Sequence, residues 1–240
     1  MSMKILLVLA SLFICTHAFA QTFSSGPEKV SLIELYTSEG CSSCPPAEAW
    51  LNSLRKNDGL WKKFIPIAFH VTYWNYLGWT DATAQDAFND RQRKYAASWG
   101  SGSVYTPCFI RNGEEWHRNG ALASDSEKPG TLTVKKTADN TVEVTFQTSN
   151  KAAYEVHIAQ IGGGIETKIR AGENAGRSLR HDFVAMSLQA VPLQAGESYT
   201  ARLPLPEPPK NALPENGLVA WVTKAGDLRP LQATGGLLSK

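Results

Sequence analysis

One feature constrains this chain more than any other. It is a pair of cysteines, separated by two residues, between an apolar strand and an amphipathic helix. Val30 to Tyr36 runs Val-Ser-Leu-Ile-Glu-Leu-Tyr and reads as a mostly buried strand. Cys41-Ser42-Ser43-Cys44 and Pro45-Pro46 follow, and Ala47 to Arg55 then carries Ala47, Trp50, Leu51 and Leu54 at helical spacing. A thiol at a helix start meets unpaired amides and the helix dipole, which favour the thiolate. Cys41 is then the attacking sulfur, and Cys44, one turn away, resolves the mixed disulfide. Each proline lacks an amide donor and restricts the residue before it, so the helix is expected to begin at Cys44 or later, with the prolines in its first turn. The residues themselves leave three uses open: thiol–disulfide exchange, metal binding, or a permanent small-loop disulfide.

The order around the pair is strand, helix, strand, helix, strand, strand. Phe64 to Val71 is a second apolar strand, and Asp81 is placed to cap a helix running to about Trp99. Cys108 to Arg111, Asn112-Gly113 and Glu114 to His117 read as a hairpin with a type I′ turn. Two strands joined through a helix favour parallel pairing, and the hairpin forms an antiparallel edge.

From about Thr131 onward the texture changes to short strands and turns. The segments are 131–136, 141–147, 154–160, 165–170, 178–186, 198–203 and 218–224. Their regular spacing predicts a mostly antiparallel β-sandwich-like unit. Pro204 to Pro214 reads as an extended proline-rich loop. The organisation expected is a targeting segment over 1–20, an α/β domain over 28–123 and a β-rich domain over 131–240, divided near the polar stretch Ser124 to Gly130.

Lys4, the apolar run Ile5 to Ile14 and Ala18-Phe19-Ala20 make the first twenty residues read as a cleaved signal peptide. The run is shorter than the roughly 20 residues a spanning helix needs. The mature protein is expected to be periplasmic or secreted, with no membrane attachment after cleavage. Of the four cysteines, Cys15 would leave with the signal. Cys41, Cys44 and Cys108 remain, and an odd number in an oxidising compartment implies at least one free or transiently paired thiol. The formal charge is +2 with no basic run, which removes the electrostatic case for a nucleic-acid partner.

"ELYTSEGCSSCPPAE", "FHVTYWNYLGW" and "VYTPCF" resemble a bacterial family of secreted thioredoxin-like proteins catalogued as a domain of unknown function. "GENAGRSLRH", Gly172 to His181, resembles that family's second domain. The resemblance implies an α/β thioredoxin-like domain followed by the β-sandwich-like one, exchange chemistry through Cys41 and Cys44, no organic cofactor, and a cysteine-containing protein or redox partner. It also implies a buried carboxylate beneath the pair, which Glu34 would supply as proton acceptor for Cys44; the plain alternative is an edge-facing or salt-bridged glutamate. Pro107 is expected to be cis and to pack on the pair, with the Thr106 backbone offered to an incoming substrate strand.

Cys108 follows directly, and strand alternation points it into the core as a small apolar filler. His70 reads as a structural histidine, or, with Cys41 and Cys44, as the third ligand of a soft Cu(I) site by similarity to thioredoxin-like copper chaperones. Tyr73 and Tyr76 are candidate substrate contacts, whereas Trp74 and Trp79 read as packing. Asn174 and His181 read as turn-formers rather than catalytic groups.

Overall fold

The structure, a computed structural model, describes residues 20–120, 122, 126–205 and 213–239. The expected targeting segment lies outside these residues apart from Ala20, and so does most of the expected proline-rich loop, at 206–212.

In chain order the elements are β1 (Gln21–Ser24), β2 (Ser31–Thr37), α1 (Pro45–Ser53, continued by a 3-10 turn over Leu54–Lys56), β3 (Phe64–His70) and α2 (Asp86–Ser98). The hairpin β4 (Cys108–Arg111) and β5 (Glu114–Glu115) follows, then β6 (Thr131–Lys136), β7 (Thr141–Gln147), β8 (Tyr154–Gly163) and β9 (Ile165–Lys168). The last strands are β10 (Ser178–His181), β11 (Val184–Pro192), β12 (Tyr199–Pro204), β13 (Glu215–Lys224) and β14 (Gln232–Leu237). Asn112 and Gly113 both take positive φ, 51° and 89°, as a type I′ turn requires.

The expected α/β thioredoxin-like domain followed by a β-sandwich-like domain is overturned. The chain is mostly β-sheet, and strands from both halves build one eight-stranded mixed sheet in the order β14-β13-β8-β11-β3-β2-β4-β5. The joint is at β3. On one side it pairs in parallel with β2; on the other it pairs in parallel with β11 through Ala68 and Val184. The Ala68 amide donates to the Phe183 carbonyl, 2.8 Å. Phe183 takes φ 61°, a conformation rare for a bulky residue. That kink divides the single strand expected over 178–186 into β10, which pairs with β9, and β11, which enters the large sheet. A second sheet, β1-β6-β7-β12, is antiparallel throughout.

Side-chain alternation explains why β13 and β8, next to one edge of the large sheet, are buried along most of their length. Leu218, Ala220 and Val222 of β13 pack with Val156 and Ile158 of β8 against Leu132, Val134, Val144 and Phe146 of the second sheet. Val219 and Trp221 of β13, with Ala159 and Ile161 of β8, point the other way into the core built around β2, β3 and the helices. Successive residues face opposite sides of a sheet, so these strands serve two cores. β6 and β7 are covered on one face only and alternate accordingly.

The same alternation divides β2. Glu34 and Tyr36 face α2, where Arg91 and Tyr95 meet them. Thr37, of the opposite parity, reaches Glu48 on α1. α2 begins at Asp86 with Gln85 as its cap residue, four residues later than a cap at Asp81 suggested. The Asp81 carboxylate is used elsewhere, accepting from the amides of Glu39 and Thr83 and contacting His70.

Candidate functional site

Cys41 and Cys44 are joined in a disulfide with a Cα–Cα separation of 5.4 Å. Cys44 is the cap residue of α1, and Pro45 and Pro46 occupy its first two positions, where a missing amide costs nothing because those amides have no partner within the helix. The Cys44 carbonyl accepts from Ala47 and Glu48, and the Cys41 carbonyl accepts from Cys44. Cys41 therefore stands ahead of the helix, at the end of the turn leaving β2.

Three segments close over the pair. The peptide bond Thr106–Pro107 is cis, and the Thr106 carbonyl oxygen lies 3.8 Å from Cys41 Sγ. Trp74 packs on Gly40, where a Cβ would come within 3.1 Å of the Trp74 backbone and side chain, and its indole donates to Thr106 Oγ1, 2.7 Å. The third segment is the loop between β9 and β10. Asn174 Nδ2 donates to the carbonyls of Glu39 and Cys41, 2.8 and 2.9 Å, and Glu173 accepts from the Ser42 amide, 3.1 Å. Cys41 is left 2% exposed and Cys44 0%, whereas Tyr76, stacked on Trp74, is 76% exposed. Tyr73 turns inward and donates to Gln92, 3.0 Å, and Trp79 donates to Glu39, 2.7 Å.

One helical turn beyond Cys44, Glu48 enters a buried cluster of imidazoles and carboxylates. Its Oε1 accepts from Thr37, 2.6 Å, and its Oε2 contacts His181 Nδ1. His181 Nε2 stands 3.1 Å from Glu39 Oε1, an ion-pair contact short of an aligned hydrogen bond. The His70 ring meets the His181 ring edge-on at 5.2 Å, and its Nδ1 is bonded to Asp81, 2.7 Å. Asn52 on α1 places His181 by clamping both its neighbours, donating to the Arg180 carbonyl and accepting from the Asp182 amide. Burial alone would depress His181; the Glu39 and Glu48 carboxylates outweigh it and hold the imidazole at about 10. Burial likewise opposes charge on His70, and Asp81 reverses that and raises it. Glu48 is lowered, its burial outweighed by His181, His70 and Thr37.

Of the residues expected to form the site, Cys41, Cys44, Thr106 and Pro107 meet. Glu34 does not join them. It is buried on the other face of β2, paired with Arg91 at 2.8 and 3.0 Å and bonded to Tyr95 and Tyr36. Its acceptor oxygens are already occupied, and the carboxylate on the side of the pair is Glu48. His70 is drawn toward His181 and Glu48 rather than standing alone beside the sulfurs, which are bonded to each other. His181 and Asn174 are fully enclosed members of the site and not surface turn-formers. The signal was the polar turn 172–177 followed at once by a strand pattern, which marks a loop that returns to pair with the strand before it. Cys108 is buried, and burial, with Glu115 adding to it, pushes its thiol up to about 12.

A family model described as "Protein of unknown function (DUF1223)" matches residues 32–223. No curated protein matches. A crystal structure of an Agrobacterium tumefaciens protein is similar at 23% identity and a TM-score of 0.63, covering 89% of this chain and 96% of that one. HBP35 of Porphyromonas gingivalis is similar at 14% identity and a TM-score of 0.60, with 89% and 76% covered. Both likenesses are of fold. The match over 32–223 spans most of the chain, which therefore belongs to the family of proteins of unknown function DUF1223.

Proposed function

We propose that the protein is an extracytoplasmic thiol–disulfide exchange protein of the thioredoxin superfamily's chemistry, acting through Cys41 and Cys44 on cysteine-containing protein partners. The observation that carries this reading is the placement of the pair. Cys44 caps a helix, and Cys41 lies against the Thr106 carbonyl at the bend before Pro107. In one direction a partner thiolate attacks Cys41 Sγ. The bond to Cys44 breaks as the mixed disulfide forms, and Cys44 leaves as a thiolate that takes up a proton. A second partner thiolate attacks the partner sulfur of the mixed disulfide and releases Cys41. The partner dithiol has then given two electrons and two protons to the pair; the reverse sequence reduces a partner disulfide. Tyr76 and the backbone of Thr106 are the contacts offered to the partner chain, with the 172–176 loop moving aside.

A second reading rests on the burial of both sulfurs, 2% and 0% exposed: a static staple that holds the turn after β2 to α1. The two separate in one assay. The oxidised protein is mixed with a reduced, unfolded dithiol protein, and the partner's disulfides are counted after acid quench. Exchange predicts stoichiometric oxidation by the wild type and none by Cys41→Ser; Cys44→Ser, mixed instead with a disulfide-bonded partner, should trap a mixed disulfide as its Cys41 thiolate displaces one partner sulfur as a thiolate. Equal inertness of all three sinks the exchange reading and leaves the staple.

A further inference from the structure

We propose that Glu48, His70 and His181 form a binding site for one divalent transition-metal ion, with Zn2+ the ion whose preferences the donors match. The proposal goes beyond disulfide exchange and does not depend on it.

One donor atom from each of the three residues lies within 4.8 Å of the other two, and all three residues are buried. Two imidazole nitrogens and a carboxylate oxygen make a borderline donor set that suits Zn2+ and excludes the all-oxygen preference of Mg2+ and Ca2+. Donors about 2.0–2.1 Å from a common tetrahedral ion stand about 3.3–3.4 Å apart, so the His70 ring must close in while the contact between His181 Nδ1 and Glu48 opens as the ion replaces the shared proton.

The second observation is what holds each ligand. A ligating histidine characteristically gives its other ring nitrogen to a carboxylate, which orients the ring and sets its tautomer. The His70 ring has that partner, Asp81 at 2.7 Å from Nδ1, and the Glu39 carboxylate stands 3.1 Å from His181 Nε2 as an ion-pair contact. Asp81 is itself fixed by the amides of Glu39 and Thr83 and by the Thr83 hydroxyl. The second oxygen of Glu48 is held by Thr37, 2.6 Å. His70 Nε2, the nitrogen left for the ion, is wholly buried with no hydrogen-bond partner among the described residues, an arrangement that is unfavourable unless something fills it.

Charge points the same way. Glu39, Glu48 and Asp81 place three carboxylates around two imidazoles, so negative charge is left over even with both rings protonated. The ligands come from a helix and the ends of two strands, and α1 and β10 are already clamped by Asn52. The ion would tie together three parts of the chain that are far apart in sequence.

The test uses the full chain, oxidised and stripped with a chelator, so that the paired sulfurs supply no ligand. Zn2+ is titrated calorimetrically and Co2+ optically. The proposal expects one ion per chain and a Co2+ spectrum with visible bands of nitrogen and oxygen ligands and no thiolate charge-transfer band. Cys41→Ser/Cys44→Ser should bind as the wild type does. Asp81→Asn should weaken binding about 10- to 100-fold, as loss of a carboxylate behind a ligating histidine does, and His70→Ala and His181→Ala should weaken it more. Absence of one-equivalent binding by the wild type overturns the proposal, as does undiminished binding by folded His70→Ala. If the histidine variants do not fold, the wild-type Co2+ spectrum decides, because thiolate bands or the absence of any spectrum rejects the site. Disulfide exchange is measured on the same samples, so loss of the metal site and loss of the exchange reading are separate results.

Discussion

Glu34 on β2 and Arg91 on α2 form a bidentate ion pair, 2.8 and 3.0 Å, on the sheet face turned away from α1. The guanidinium also lies 4.9 Å from the Trp221 ring centroid, between the two helical and sheet layers. The pair is thus a structural tie and not a thiol base. Breaking a buried pair leaves an uncompensated charge and costs about 3–5 kcal/mol. Arg91→Ala is expected to lose that much in urea unfolding. A loss below about 1 kcal/mol would show the pair to be solvated and the assignment wrong.

Glu173 gives the cover over the disulfide a measurable strength. Its carboxylate accepts from the Ser42 amide, 3.1 Å, at an exposed position where water weakens the bond. Glu173→Ala should therefore speed reduction of Cys41–Cys44 by dithiothreitol by roughly two- to fivefold. An unchanged rate would mean that the loop does not limit access.

Cys108 should be inert. A thiol pushed up to about 12 by burial has almost no thiolate at pH 8. Iodoacetamide followed by peptide mapping is expected to leave Cys108 unmodified in the native protein and to modify it fully in urea. Rapid native labelling would contradict its burial.

His157 supplies a pH dependence with a definite sign. Burial, reinforced by Arg91 and Lys94, lowers its pKa from 6.5 to about 3. It stacks on Trp221, ring centroids 5.1 Å apart, and bonds Thr223. Between pH 6.5 and 3 the unfolded chain takes up a proton that the folded chain refuses, so this residue makes stability fall as pH falls, by up to about 1.4 kcal/mol per unit. His157→Gln removes that slope. The stability gap between wild type and variant should shrink from pH 7 to pH 4 in urea unfolding; a constant gap would show that His157 protonates in the folded state.

Local signals carried the elements they act on. The Asn112-Gly113 turn, β6 and β7 follow from turn chemistry and alternation, and the prolines at 45 and 46 locate the start of α1. The fold as a whole depends on a contact no local pattern encodes, the parallel meeting of Ala68 and Val184 across 116 residues. β14, Gln-Ala-Thr-Gly-Gly-Leu, has no strand signature. Its glycines answer to close packing, since a Cβ at Gly236 would come within 2.5 Å of the Phe23 ring. The cysteine pair was visible because its spacing is local. His181 was not, because its partners Glu39 and Glu48 are brought to it only when β10 docks on α1.

The reduction potential of the Cys41–Cys44 pair separates an exchanging disulfide from a static staple. The full chain is equilibrated in glutathione buffers of graded ratio, quenched with acid and alkylator, and the reduced fraction is read by mass spectrometry. An exchange protein is expected to titrate between about −270 and −120 mV, the range of disulfide-exchanging proteins. A pair that stays oxidised to below about −300 mV, where structural disulfides lie, would contradict the account.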